Sequence, residues 1–196
     1  VGFFSGPASS KLLGAAFERY AHLTFPHKVP ATDAAAASLS GLTVSVESTA
    51  EDFPQIDTDE SYELTVPASG DATLHAKTVF GALRGLETFS QLVMFDFDAE
   101  AYTIPFAPWS VTDSPRFPHR GLMFDSARHF EPIATIKALI DSLPYAKLNV
   151  LHWHMSDSQS FPFEVTGKGK NLWKGAFSDQ EKFTQLDVAG VVEYAR

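Results

Sequence analysis

The residues best suited to chemistry are gathered in Leu151-His152-Trp153-His154-Met155-Ser156-Asp157-Ser158-Gln159-Ser160-Phe161-Pro162. On a strand, period-2 geometry puts His152 and His154 on one face, and Asp157 follows just past the strand's C-terminal end. Barrel and open-sheet enzymes build their ligand sites at that end, so a carboxylate there is a candidate for substrate binding. Two other readings stay open at this point. The histidines can satisfy buried hydrogen bonds among strands, and His-x-His with a nearby Asp is also a metal-ligand spacing. A metal would need further His and Asp ligands from later strands, which this sequence does not supply. No metal or other cofactor is therefore expected.

The second constellation is Asp125-Ser126-Ala127-Arg128-His129-Phe130, at the C-terminal end of an earlier apolar run. Arg128 brings a planar, permanently charged fork of donors suited to paired hydroxyls or a carboxylate. Its structural alternative is an ion pair with Asp125. His119 and Arg120 precede that run, at the stability-bearing end of the strand, and read as structural. Trp153 points away from the histidines and reads as packing. Trp173, in a long loop, is freer to stack on a ligand, while Lys168, Lys170 and Lys174 in the same loop read as solvated. No Gly-rich phosphate loop and no Gly-x-Ser-x-Gly elbow occurs, which lowers phosphoryl-transfer and serine-hydrolase readings.

Those residues need elements to hold them. Ser9 and Ser10 can cap a first helix carrying Leu13, Phe17 and Tyr20 on one face. The Ala-, Pro- and Ser-rich stretch from Val29 to Ser40 reads as loop. Leu42, Val44 and Val46 alternate with polar residues, as do Tyr62, Leu64 and Val66, and Leu74 to Ala76 is a short third strand. Thr78 can cap a helix with Val79, Leu83, Leu86, Phe89 and Val93 at helical spacing. This predicts an α+β domain over 1–113, with the turn-rich Asp113-Ser114-Pro115-Arg116-Phe117-Pro118 as the boundary.

From 114 to 196 the pattern changes. Gly121 to Asp125 is apolar without alternation, which predicts a strand buried on both faces. Pro132 suits a helix N1 position, Ile133, Ile136, Ile140 and Leu143 form the inward stripe, and Pro144 ends it. Lys147 to Met155 reads as a second strand, and Asp187 to Arg196 as another helix. Two βα units of a parallel α/β fold result. A (β/α)8 barrel needs eight, so the barrel is expected to be incomplete in this chain and to need more chain or a partner.

Bulk properties narrow the partners. The formal net charge is −9, a surface that repels phosphate backbones and anionic lipid, so neither nucleic acid nor membrane is expected as a partner. No apolar run is long enough to span a bilayer. The absence of cysteine removes disulfides, thiolate metal sites and a cysteine nucleophile. The start, Val1-Gly2-Phe3-Phe4, has neither Met nor a signal pattern, so processing ends are expected. Neither Asn149 nor Asn171 begins a glycosylation acceptor. Compartment does not follow from these residues.

Phe117-Pro118-His119-Arg120-Gly121-Leu122-Met123-Phe124-Asp125-Ser126-Ala127-Arg128-His129-Phe130 resembles the first barrel strand of the β-N-acetylhexosaminidases of glycoside hydrolase family 20. His152-Trp153-His154 with Asp157 and Gln159-Ser160-Phe161-Pro162 resembles their second. Phe80-Gly81-Ala82-Leu83-Arg84-Gly85-Leu86-Glu87-Thr88-Phe89-Ser90-Gln91-Leu92 is similar to the helix of their N-terminal domain, and Asp59-Glu60-Ser61-Tyr62 to the start of a strand in it. The resemblance runs from about Leu12 to Arg196.

It implies a zincin-like, metal-free α+β accessory domain followed by a catalytic (β/α)8 TIM barrel. It also implies removal of terminal N-acetylglucosamine or N-acetylgalactosamine from glycans. In that family the substrate's acetamido oxygen is the nucleophile, oriented by an Asp next to a general-acid Glu on a later strand. No Asp-Glu here fits: Asp59-Glu60 lies in the first domain, and Glu193 lies on a helix before any third strand. No catalytic residue is thus expected in this chain. What carries over is Arg128, to hold the 3- and 4-hydroxyls of the sugar, Asp157, to support the hydrogen-bond network, and His154 within it. One departure is Ser158, where many members carry a second acid after the Asp. A lysosomal or secreted location is what the resemblance suggests.

The expected partner is a glycan or glycoconjugate ending in N-acetylhexosamine, with a homo-oligomer or second chain possible as the completion of the barrel. Two alternatives accompany this reading: a metal-dependent TIM-barrel hydrolase using His152 and His154, and a non-catalytic carbohydrate-binding remnant.

Overall fold

The computed structural model describes residues 2–29 and 39–195. Its contacts divide the chain into two units, Val1–Pro118 and His119–Arg196.

The first unit is built on a five-stranded mixed sheet. In chain order its strands are β1 (Phe4–Ser5), β2 (Leu39–Val46), β3 (Tyr62–Val66), β4 (Gly70–Ala76) and β7 (Trp109–Asp113), and their spatial order is β1-β2-β4-β3-β7. β2 runs parallel to β1 and β4, while β3 is antiparallel to both β4 and β7. Alternation sorts the two faces: Leu42, Val44, Tyr62, Leu64, Val66, Ala72, Leu74 and Ala76 are buried, whereas Glu63, Thr65, Thr73 and His75 face solvent. The buried face packs under α1 (Lys11–Thr24) and α2 (Val79–Leu92), whose Leu13, Ala16, Tyr20, Leu86 and Phe89 complete one core.

Both helices start where the residue types direct. Ser10 Oγ accepts from Leu13 N at 3.1 Å, and Thr78 Oγ1 accepts from Gly81 N at 3.1 Å. Each cap satisfies an amide that the first helical turn leaves without a partner, worth about 1 kcal/mol. Two glycines set how closely α2 lies on the sheet. A Cβ on Gly81 would stand 2.3 Å from the Ser61 carbonyl oxygen, and one on Gly85 would stand 2.2 Å from Leu74 Cδ1. Arg84 Nε meets Glu60 Oε1 at 2.6 Å at the same interface. The Phe80–Leu92 motif and Asp59-Glu60-Ser61-Tyr62 are therefore two sides of one helix–sheet contact.

Some expectations for this unit need amending. Ser10, not Ser9, is the cap of α1. Within the stretch expected as loop, residues 30–38 lie outside the described residues, and Leu39 and Ser40 already belong to β2. The hairpin of β5 (Met94–Asp96) and β6 (Ala101–Thr103), and strands β1 and β7, had no sequence signal, since each is short or lacks buried alternation.

The second unit is a parallel βαβα arrangement. β8 (Gly121–Asp125) and β9 (Val150–His154) pair in parallel, with Met123 opposite His152 and Asp125 opposite His154. Between them runs α3 (Ile133–Ser142), and after a long loop comes α4 (Gln185–Ala195). Ile136, Phe183 and Val191 form the buried centre, with Phe124, Phe130, Leu151 and Trp153 packed around it. Pro132 proves to be the N-cap of α3 rather than N1; its ψ of 158° is extended, and its carbonyl accepts from Thr135 N and Ile136 N. β9 begins at Val150, not Lys147, because Lys147 takes a left-handed φ of 53° at the end of the turn after α3. β8 was expected to be buried on both faces, yet Leu122 is 41% and Met123 56% exposed. Among the described residues its one strand neighbour is β9, which leaves the Met123–His152 face open. No helix among the described residues is long and apolar enough to cross a membrane.

Candidate active site

The C-terminal ends of β8 and β9 lie side by side because the strands are parallel and in register, and Ser126 N donates to the His154 carbonyl at 3.1 Å. The loops leaving them bring Arg128 and Asp157 together. Arg128 Nη2 lies 2.6 Å from Asp157 Oδ2, and Nη1 lies 2.6 Å from Asp125 Oδ2. The ion pair of Arg128 with Asp125 is therefore present, and Arg128 also reaches the carboxylate of the second strand. Gln159 Oε1 accepts from Arg128 Nε at 3.2 Å, a contact with no separate signal in the sequence.

The carboxylates are held ionised. Asp125 Oδ1 accepts from Ala127 N and Arg128 N, closing a turn that points the Arg128 side chain back across the strand end. The Arg128 hydrogen bond, with those amides, draws the Asp125 carboxyl down to about 2. Asp157 is lowered chiefly by the amide N–H of Ser158 on its Oδ1, then by His154. His154 Nε2 lies 2.9 Å from Asp157 Oδ2; an ionised carboxylate only accepts, so Nε2 carries the proton and donates. The Arg128 side chain is 43% exposed.

Arg128, Asp157 and His154 thus converge, whereas His152, on the same strand face, is exposed. Among the described residues no group of three or more His, Asp or Glu side chains is arranged to hold a metal ion. Trp153 Nε1 donates to the buried Ser126 hydroxyl at 2.8 Å and its ring meets Phe183 edge-on, so it packs. Trp173 donates to the Pro162 carbonyl at 3.0 Å, with the Lys182 ammonium 5.2 Å from its ring centre. Those contacts hold it within its own loop. Arg120 Nε donates to the Lys147 carbonyl at 2.8 Å and its amide to Asn149 Oδ1, tying β8 to the start of β9.

Residues 117–196, which include all of these side chains, match the family described as "Glycosyl hydrolase family 20, catalytic domain", and residues 5–92 match the one described as "beta-acetyl hexosaminidase like". Beta-hexosaminidase 1 of Arabidopsis thaliana is 43% identical, over 95% of this chain and 37% of its own length. Beta-hexosaminidase subunit beta of Mus musculus is 46% identical, over 98% of this chain and 36% of its own. The chain belongs to glycoside hydrolase family 20. A chitobiase from Flavobacterium johnsoniae superposes with a TM-score of 0.73 at 32% identity, covering 98% of this chain and 29% of that one. This family 20 chain therefore spans about a third of the length of the curated relatives it matches. The residues that sequence reasoning left out are Asp125 as a site member and Gln159. From sequence Asp125 reads only as the structural partner of Arg128, although its place at a strand's C-terminal end is a signal.

Proposed function

We propose that this chain is the front portion of a β-N-acetylhexosaminidase that removes terminal N-acetylglucosamine or N-acetylgalactosamine from glycans. The observation that carries the proposal is the Arg128 guanidinium held between Asp125 and Asp157, 2.6 Å from each, at the C-terminal ends of two parallel strands. A planar fork of donors with carboxylates beside it suits vicinal sugar hydroxyls, which both give and take hydrogen bonds. In this reading Arg128 holds the 3- and 4-hydroxyls of the terminal sugar. Asp157, fixed by Ser158 and His154, supports the network around it, and His154 keeps Asp157 oriented.

The chemistry itself belongs to groups outside this stretch. The substrate's acetamido oxygen attacks the anomeric carbon, an Asp orients it, and a Glu protonates the leaving oxygen. That Asp-Glu pair is assigned to a later strand of a (β/α)8 barrel whose first two units are 114–196, with residues 1–113 as the zincin-like accessory domain. The remaining strands come from sequence downstream or from a second chain.

The test is hydrolysis of p-nitrophenyl N-acetyl-β-glucosaminide by the protein with its native downstream sequence. Turnover that survives chelation supports the reading. An inactive full-length protein carrying the Asp-Glu pair overturns it, and loss of activity on chelation would favour a metal-dependent hydrolase.

A further inference from the structure

The Arg128 fork is held at three nitrogens, and the third anchor is neither of its carboxylates. Nη1 is taken by Asp125 and Nη2 by Asp157, while Nε donates to Gln159 Oε1 at 3.2 Å. Arginine has no acceptor, so the Gln159 atom facing Nε has to be the oxygen. Ser158 Oγ stands 3.2 Å from the same oxygen and 3.1 Å from Asp157 Oδ1, so its single proton is shared between the two. The Gln159 amide nitrogen has no partner among the described residues, and the side chain is exposed.

Two contacts at Nη1 and Nη2 define a line about which the fork can still tilt. A third at Nε fixes its plane. Of five N–H groups two make hydrogen bonds, Nε–H to Gln159 and one on Nη1 to Asp125, while Nη2 lies at ion-pair distance from Asp157, so each Nη keeps an N–H donor in the guanidinium plane. Such a pair meets two adjacent ring hydroxyls only if the plane is set correctly. A neutral carbonyl suits the third position, because Arg128 already faces two carboxylates and a third would leave the cluster more negative.

We propose that Gln159 is a positioning residue for the sugar, acting through Arg128 to set the plane in which the 3- and 4-hydroxyls are gripped. This rests on the hexosaminidase reading above and adds a residue to it. A hydrogen bond to a charged group in the complex, once lost, is worth roughly tenfold or more in kcat/KM.

The experiment compares wild-type and Gln159→Leu full-length protein on p-nitrophenyl N-acetyl-β-glucosaminide and on its 3-deoxy and 4-deoxy analogues. The variant is expected to lose about tenfold in kcat/KM on the parent sugar, and about twofold or less on an analogue lacking a hydroxyl that Arg128 grips. Melting temperature should barely move, since the contact is exposed. An equal loss on all substrates, or none on the parent, overturns the proposal. Should Gln159→Leu not fold, Gln159→Met, which keeps the length and lacks the acceptor, gives the same comparison. An inactive wild type sinks the hexosaminidase reading itself, whereas an active wild type with an indifferent Gln159 variant sinks this inference alone.

Discussion

Asp157 Oδ2 serves two side chains at once: it forms an ion pair with Arg128 Nη2 at 2.6 Å and accepts a hydrogen bond from His154 Nε2 at 2.9 Å. One carboxylate oxygen thereby joins the loop after β8 to the last residue of β9. The other oxygen takes the amide and hydroxyl of Ser158. The strand pair would persist without these contacts, because Trp153, Phe183 and Ile136 hold it from the opposite face. On the function proposed above the network orients Arg128, and its removal should be felt in activity before stability.

That separation is measurable. Arg128→Ala in the full-length protein is expected to lower kcat/KM by about 100-fold, the scale of lost charge-assisted hydrogen bonds to substrate. The side chain is 43% exposed, and exposed ion pairs contribute on the order of 0–1 kcal/mol, so melting temperature should fall only slightly. A large drop in melting temperature with unchanged activity per folded molecule would leave Arg128 a structural ion pair only.

A second prediction concerns acid. Asp125 has its folded pKa depressed to about 2 by Arg128 and the turn amides, below the ordinary carboxylate value of about 3.9. A depressed carboxylate contributes stability that is present above the unfolded pKa and is lost as pH falls through the folded one. Asp125→Asn should thus flatten the fall in melting temperature between about pH 4 and pH 2 relative to wild type. Superimposable pH profiles for the two proteins would show that this pairing has no weight in the folded state.

How far these features were legible in the sequence depends on what made them. The caps Ser10 and Thr78, the alternation of Tyr62, Leu64 and Val66, and the βαβα order of 121–195 follow from local chemistry, and they stand where residue types place them. The meeting of Arg128, Asp157 and His154 was legible because all three lie at or just past the C-terminal ends of two strands expected to be parallel. Gln159 on Nε was not, since that contact depends on two loop conformations meeting across 31 positions in sequence. The exposure of Met123 is not legible for a related reason: an apolar run records what a strand is made to pack against, and among the described residues one strand neighbour lies beside it.

The glycines of α2 give a stability test free of any functional assumption. Gly85→Ala would put a methyl 2.2 Å from Leu74 Cδ1 and 3.0 Å from Tyr62 Cδ2, both buried side chains of the sheet. Overpacking of this kind costs about 1–3 kcal/mol, more than the gain in helix propensity from Gly to Ala of about 1 kcal/mol. Urea unfolding should show a lower midpoint at unchanged slope. A midpoint equal to or above wild type would mean that α2 can lift off the sheet without cost.

The last prediction turns on Ser158, where many family members carry a second acid. Its amide and hydroxyl both donate to Asp157 Oδ1, and with the His154 donation they hold Asp157 below its ordinary pKa. Ser158→Asp removes the hydroxyl donor and brings a like charge beside Asp157, and both changes disfavour the ionised form. The Asp157 pKa must therefore rise. If the ionised carboxylate is what steadies Arg128 on the sugar, the acid limb of kcat/KM in the full-length protein should move to higher pH, while kcat/KM on the alkaline side stays within about threefold of wild type. An acid limb that does not move would show that Asp157 is not the group whose protonation ends activity. A uniform loss at every pH would instead mean that the Ser158 hydroxyl matters for geometry and not for charge.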